Sequence, residues 1–117
     1  MEENELLENT ILELRRGVIA LAVLSRLGEE QYGYSLLKLL SDQGLEVDQG
    51  TLYPLLRRLE TQGLLQSTWK LEEARPRRYY VISEVGRNLL PRLIQEWASI
   101  VAMMNKLLAQ TGGPETK

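Results

Sequence analysis

The sequence predicts a mainly α protein with one small β-hairpin. Three observations point there. Two long stretches, 4–27 and 84–110, repeat apolar residues at alternating spacings of three and four, the period of a helix packed lengthwise on another. Between them lie two shorter helical stretches, each followed by a glycine, Gly44 and Gly63. The period then falls to two, with Leu65, Ser67, Trp69 and Leu71 alternating with Gln66, Thr68 and Lys70, as in a strand. The 117 residues contain no Phe but many Leu, a composition that favours helix–helix packing within a single domain.

In the first helix, Leu7, Ile11, Leu14, Val18 and Leu21 form the main stripe, and Leu12, Ile19, Ala22, Val23 and Leu24 broaden it. The second half of this helix is therefore buried on more than one side. Gly17 costs on the order of 1 kcal/mol of helix stability and permits a bend or a close helix approach. Gly28 supplies a stop. After a connector over Glu29 to Gly33, Tyr34 to Gln43 make a second helix with Leu36, Leu37, Leu39 and Leu40 inward, ended by Gly44.

Leu45 to Val47 is an extended link into the stretch Asp48–Gly63. Its Leu52, Leu55, Leu56 and Leu59 make an apolar stripe, and Gln49, Thr51, Tyr53, Arg57 and Arg58 occupy the other face. Pro54 deep inside a helix would cost roughly 3 kcal/mol. The reading therefore starts regular helix at about Thr51, with Pro54 in its first turn. Two short helices joined by a glycine turn, the second bearing an exposed polar face, make a helix-turn-helix.

Leu65–Leu71 and Arg78–Ile82 then form two strands, with the polar, proline-containing run Glu72–Arg77 as the hairpin tip. The whole of 34–82 is thus a winged helix-turn-helix whose wing tip carries Arg75, Arg77 and Arg78. Ser83 caps the last helix. Its stripe of Leu90, Leu93, Trp97, Ile100, Met104 and Leu107, widened by Ile94, Val101 and Leu108, is broad enough to meet both a partner helix and the rest of the domain. Pro91 is expected to kink or restart it, and 111–117 is a tail.

Composition narrows the function. With no Cys and no His, disulfides, the usual metal ligands and the usual general base are missing. The acid pairs Glu2–Glu3, Glu29–Glu30 and Glu72–Glu73 fall at the terminus or in polar connectors, not in a pocket that would shift a pKa. No phosphate-binding glycine loop is present. The reading is therefore not an enzyme, with no cofactor and no metal. The acidic start is unlike a signal peptide. The longest apolar run, Val18–Leu24, is far short of a span of roughly 20 residues, so a cytoplasmic protein without membrane contact is expected.

Net charge is −2, but unevenly spread: −4 over residues 1–31 and +1 over 32–82. Local clustering governs attraction to nucleic acid, so the mildly acidic total lowers the expectation of a double-stranded DNA partner without excluding it. Gln49, Thr51 and Tyr53 would form the reading tip. Arg75, Arg77 and Arg78 would meet phosphates, Arg57 and Arg58 would do so or form surface salt bridges with Glu60 or Asp48, and Tyr34 and Lys38 on the preceding helix would touch the backbone.

Tyr32-Gly-Tyr34, Gly50-Thr-Leu-Tyr-Pro-Leu-Leu-Arg-Arg-Leu-Glu60, Gly63-Leu-Leu65, Arg77-Arg-Tyr-Tyr80 and Ile82-Ser-Glu-Val-Gly86 resemble the PadR family of bacterial transcriptional regulators over about residues 10–110. The resemblance is to its small members with a single C-terminal helix. It implies a homodimer built by the terminal helices, here through Leu7, Ile11, Leu14, Leu93, Trp97, Ile100, Met104 and Leu107. It further implies repression at an operator, which for a two-fold dimer is an inverted repeat, relieved by a signal. In similar small members that signal can be a flat aromatic or drug-like effector, which here would meet Trp97, Ile100 and Val101. Family wings are often glycine-rich before their basic residues; Ala74-Arg-Pro76 departs from that and makes a stiffer tip. The competing reading is a winged-helix adaptor that binds proteins instead of DNA.

Overall fold

The computed structural model describes residues 2–110; the expected tail, 111–117, lies outside them. The chain runs α1 (Glu3–Arg26), β1 (Gln31–Tyr32), α2 (Gly33–Asp42), α3 (Gln49–Thr61), β2 (Leu65–Glu72), β3 (Arg75–Ile82) and α4 (Glu84–Ala109). The sheet is antiparallel, in the order β1-β3-β2. This is the mainly α, winged helix-turn-helix architecture that the sequence predicts, with one strand more than the hairpin.

That extra strand is the dipeptide Gln31–Tyr32 within the expected connector, and it pairs with Tyr80 and Tyr79. Two residues are too few to show an alternation. The ring of Tyr32 meets that of Tyr79 edge-on, with centroids 5.4 Å apart.

The core gathers Ile19, Val23, Leu24 and Leu27 of α1 and its end with Leu36 and Leu40 of α2. The α3 stripe and Leu65, Tyr80 and Ile82 of the sheet complete it. The sheet is tied to the helix ends by backbone bonds, Ile82 N–H to the Leu27 carbonyl (2.8 Å) and Ser83 N–H to that of Leu64 (2.9 Å). The buried Ser83 hydroxyl donates to the Gly63 carbonyl at 2.7 Å and caps α4 by accepting from Gly86 N–H at 3.0 Å. Gly86 has no room for a side chain: a Cβ there would lie 2.5 Å from the Leu64 carbonyl oxygen.

Both helices of the motif end in Schellman turns. Gly44 (φ 98°) and Gly63 (φ 89°) adopt the left-handed conformation, and Leu45 and Leu64 N–H close back on the Leu40 and Leu59 carbonyls, each at 2.9 Å. Gly28 is different. It is not left-handed, and α1 ends at Leu27 because that residue leaves the helix to pair with the sheet. Gly17 makes no close helix approach either, since nothing stands within 4 Å of where its Cβ would be.

Three further expectations are corrected. Helix α3 begins at Gln49, not Thr51: Asp48 is its cap and accepts from Thr51 N–H at 2.8 Å. Pro54 therefore lies inside and leaves the Gly50 carbonyl without its helical donor. Both Gly50 and Pro54 are exposed, so water can reach that carbonyl. Burial of Leu52, Leu55, Leu56 and Leu59, about 1.5–3 kcal/mol each, outweighs the proline's cost.

The hairpin tip is also tighter than Glu72–Arg77. It is the two-residue turn Glu73–Ala74, with φ 50° and 65°, flanked by the pair Glu72–Arg75. Both angles are left-handed, as in the turns that match strand twist. Pro76 thus sits in β3 opposite Leu71. In such a ladder the pair next to the closing pair exchanges no bonds, so its missing N–H belongs to the edge facing away from β2. Finally, α4 does not restart at Pro91 but runs through it as one helix. The deprived Arg87 carbonyl belongs to an exposed residue, where water can serve it.

Candidate nucleic-acid interface

The face opposite the leucine stripe of α3 presents Gly50, Pro54, Arg57, Arg58 and Thr61, all exposed, with Gln49 and Thr51 exposed at its start. Tyr53 is half-buried. Its ring lies on the start of α2, where a Cβ on Gly33 would stand 2.3 Å from Cε1. Glycine at 33 leaves room for the Tyr53 ring to lie this close to α2.

Tyr53 stands at the centre of a convergence. An open cleft of about 380 Å³ is lined by Tyr32, Tyr34, Tyr53, Arg75, Pro76 and Arg77. The start of α2, the start of α3 and the wing strand β3 therefore face one space. A neighbouring cleft of about 280 Å³ runs between α3 and the wing, and Arg57, Arg77, Arg78, Tyr53 and Trp69 border it. On the other flank of α3, Arg58 and Thr51 line a smaller hollow of about 200 Å³ with Arg16 of α1. Arg57 and Arg58, adjacent in sequence, thus serve opposite sides of one helix. Lys38 is exposed on α2 and lines none of these clefts.

The arginines differ in how far they are engaged. Among the described residues, Arg57, Arg58, Arg75 and Lys38 form no ion pair. Arg77 lies over the Tyr32 ring at 4.5 Å and 3.7 Å from a Glu72 oxygen. Arg78 is not at the wing tip, as the sequence reading has it. It pairs with Trp69 in the ladder, three residues beyond the tip-flanking Arg75. Its Nη2 donates to Glu60 Oε1 at 2.9 Å and its Nε to Ser67 Oγ at 3.1 Å. The strand's side-chain period separates them, since residues 75, 77 and 79 share one face of the sheet and 76, 78 and 80 the other.

Lys70 pairs with Glu30 and lies over the Tyr79 ring at 4.7 Å, bracing the outer face of the wing to the loop before β1. The phenol of Tyr79 is raised above its ordinary pKa, chiefly by hydrogen bonding to the Glu72 carboxylate. That of Tyr80 is raised chiefly by burial. Both therefore stay neutral at physiological pH, adding no negative charge beside the arginines.

A second feature is apolar. Leu7, Ile11 and Leu14 of α1 and Leu93, Trp97, Ile100, Met104 and Leu107 of α4 are all exposed. Leu14, Leu93, Trp97 and Ile100 share a groove of about 460 Å³ between the two helices, which Gly17 also lines. Val101 is exposed but does not line it. No group of residues suited to holding a metal occurs among the described residues, and no helix among them is long and apolar enough to cross a membrane.

Sequence reasoning assigned no place in the site to Arg16, Tyr32 or Glu60. Arg16 reads as part of an amphipathic helix and Glu60 as one more surface acid, and neither carries a local signal of what it faces. The pairing of Tyr32 with Tyr79 could have been found only by aligning two tyrosines distant in sequence.

Comparison with known proteins adds independent evidence. A family model described as the transcriptional regulator PadR-like family matches residues 20–92. The transcriptional regulator Rv3488 of Mycobacterium tuberculosis is 39% identical over 79 residues, which is 67% of this chain and 74% of that protein. A PadR family transcriptional regulator from Eggerthella lenta has a similar structure, with a TM-score of 0.82 and 40% identity, covering 97% of this chain and 96% of that one. A transcriptional regulator from Clostridium thermocellum aligns with a TM-score of 0.72 and 30% identity, over 80% of this chain and 96% of the other.

Proposed function

The chain belongs to the PadR-like family of transcriptional regulators, and we propose that it acts in the cytoplasm as a homodimeric, sequence-specific repressor. The observation that carries this reading is the cleft on which Tyr53 near the start of α3, Arg75 and Arg77 of the wing, and Tyr34 of α2 converge. Unpaired guanidiniums cost nothing in lost ion pairs when they turn to phosphates. Gln49 and Thr51 sit where base edges would be read, and Tyr53 orients the tip from its seat on Gly33. Arg57, Arg58 and Arg75 supply phosphate contacts, with Arg77 beside them, and Lys38 reaches the flanking backbone.

The apolar surface supports dimerisation. From residue 91 to residue 110 every position of α4 is exposed, yet Leu93, Trp97, Ile100, Met104 and Leu107 repeat as a seam. Such a patch marks an interface, and its lengthwise repeat fits a second copy using the same α4 seam and Leu7, Ile11 and Leu14 of α1. Two copies related by a two-fold axis read an inverted repeat with half-sites about 34–36 Å apart, or a multiple of that. The groove around Trp97 and Ile100 would admit a flat aromatic effector, whose binding would alter the separation of the two reading heads. Val101, outside the groove, would meet such a ligand only through the partner copy.

The test is a titration of labelled DNA from upstream of the protein's own gene against unrelated DNA of equal length. Saturable binding to the first that unrelated competitor fails to displace supports the reading. Equal binding to both at low salt, vanishing together as salt rises, contradicts sequence specificity.

A further inference from the structure

We infer that Arg78 is a positioning residue that locks the wing to the recognition helix and makes no contact with DNA. The inference rests on the proposal that α3 and the wing form the DNA-binding face.

Three side chains on three elements close a triangle. Arg78 of β3 donates through Nη2 to Glu60 Oε1 of α3 at 2.9 Å and through Nε to Ser67 Oγ of β2 at 3.1 Å. Ser67 Oγ in turn donates to Glu60 Oε2 at 2.7 Å. The guanidinium lies 5.4 Å from the Tyr80 ring centroid and 5.7 Å from that of Trp69. The Arg78 and Glu60 side chains are only 33% and 28% exposed. The charge of Arg78 is therefore opposed at hydrogen-bond distance, and two of its donor nitrogens are occupied. A lysine could not reproduce that fork.

Position in the fold says what the triangle does. Farther along the wing the apolar layer ends: Trp69 is 62% exposed and Leu71 is 75% exposed. Among the described residues, the hydrogen bonds and ion pair through Glu60 are the polar ties between α3 and the hairpin. They fix how far Arg75 near the tip stands from the start of α3. Two contact sets held at a fixed separation engage DNA without first ordering the hairpin, and that preorganisation raises affinity without adding a phosphate contact.

The two roles for Arg78 predict opposite signs. Affinity would be measured by fluorescence anisotropy on the upstream DNA at several salt concentrations, for the intact chain and for Glu60→Gln, Ser67→Ala, Arg78→Ala and Arg75→Ala. Glu60→Gln, Ser67→Ala and Arg78→Ala are each expected to weaken binding by roughly 3- to 30-fold. None should change the slope of log affinity against log salt, whereas Arg75→Ala lowers it by about one. If Arg78 instead met a phosphate, Arg78→Ala would lower the slope by about one and Glu60→Gln would tighten binding by freeing the guanidinium. Either result overturns the inference. Hydrogen exchange of the free protein provides a readout that does not involve DNA. Hairpin amides over 66–80 should exchange faster in Glu60→Gln and Ser67→Ala while the core helices stay protected; unchanged hairpin exchange also overturns the inference. Failure of the intact chain to bind any DNA would instead sink the DNA-binding reading.

Discussion

Arg75, Arg77 and Arg78 fall within four residues of one strand and have three different environments. Arg75 is exposed and unpaired among the described residues, Arg77 lies over the Tyr32 ring, and Arg78 is held by Glu60. Composition treats the three alike; the side-chain alternation of β3 and its pairing with β2 separate them. Legibility at this scale was therefore partial. The basic cluster was visible, but its division depended on Glu60 and Ser67, which come together only in the fold. Arg75→Ala should weaken DNA binding and reduce the salt slope by about one, checked by anisotropy titrations at graded salt. Gly86 supports a prediction about stability. Its missing Cβ would meet the Leu64 carbonyl at 2.5 Å, and a backbone oxygen hydrogen-bonded to Ser83 N–H has little freedom to retreat. Gly86→Ala should cost about 1–3 kcal/mol, read as a lower urea midpoint with an unchanged m-value.

Among the elements, the helices were the most legible, because the leucine stripes of α1, α3 and α4 repeat over several turns. Errors fell where a local rule met a tertiary one. Pro54 argued for a late start to α3, but the Asp48 cap and four buried leucines carry the helix back to Gln49. Pro76 argued for a broad hairpin tip, but the pairing leaves its nitrogen on the open edge and the turn closes at Glu73–Ala74. Strand β1 consists of two residues and has no period to detect. The cap and the turn can each be tested by substitution. Asp48→Ala should destabilise by about 1 kcal/mol and, by fraying the start of α3, weaken DNA binding as well; denaturant titration and anisotropy read the two effects. Ala74 pays for a left-handed backbone that glycine adopts freely. Ala74→Gly should therefore leave stability equal or raise it by up to about 1 kcal/mol in the same denaturant assay.

Across the whole molecule, the terminal helices are the longest elements. With 26 residues, α4 is about 39 Å long, in a chain whose largest extent is 60 Å. Its seam faces outward, as does the groove it makes with α1. Replacing Ile100 by Glu would put a charge into the proposed seam and should shift the protein from dimer to monomer in light scattering. DNA affinity would then fall much further than any single phosphate contact could explain, because both half-sites would no longer be held by one body.

In the proposed dimer, two recognition helices held together by α4 read two symmetric half-sites. Hydroxyl-radical footprinting on the DNA upstream of the gene tests this most directly. The expected pattern is two protected segments related by a dyad, with centres about 34–36 Å apart or a multiple of it, both lost together in the Ile100→Glu variant. A single unsymmetrical footprint, or uniform protection that spreads with protein concentration, would contradict it.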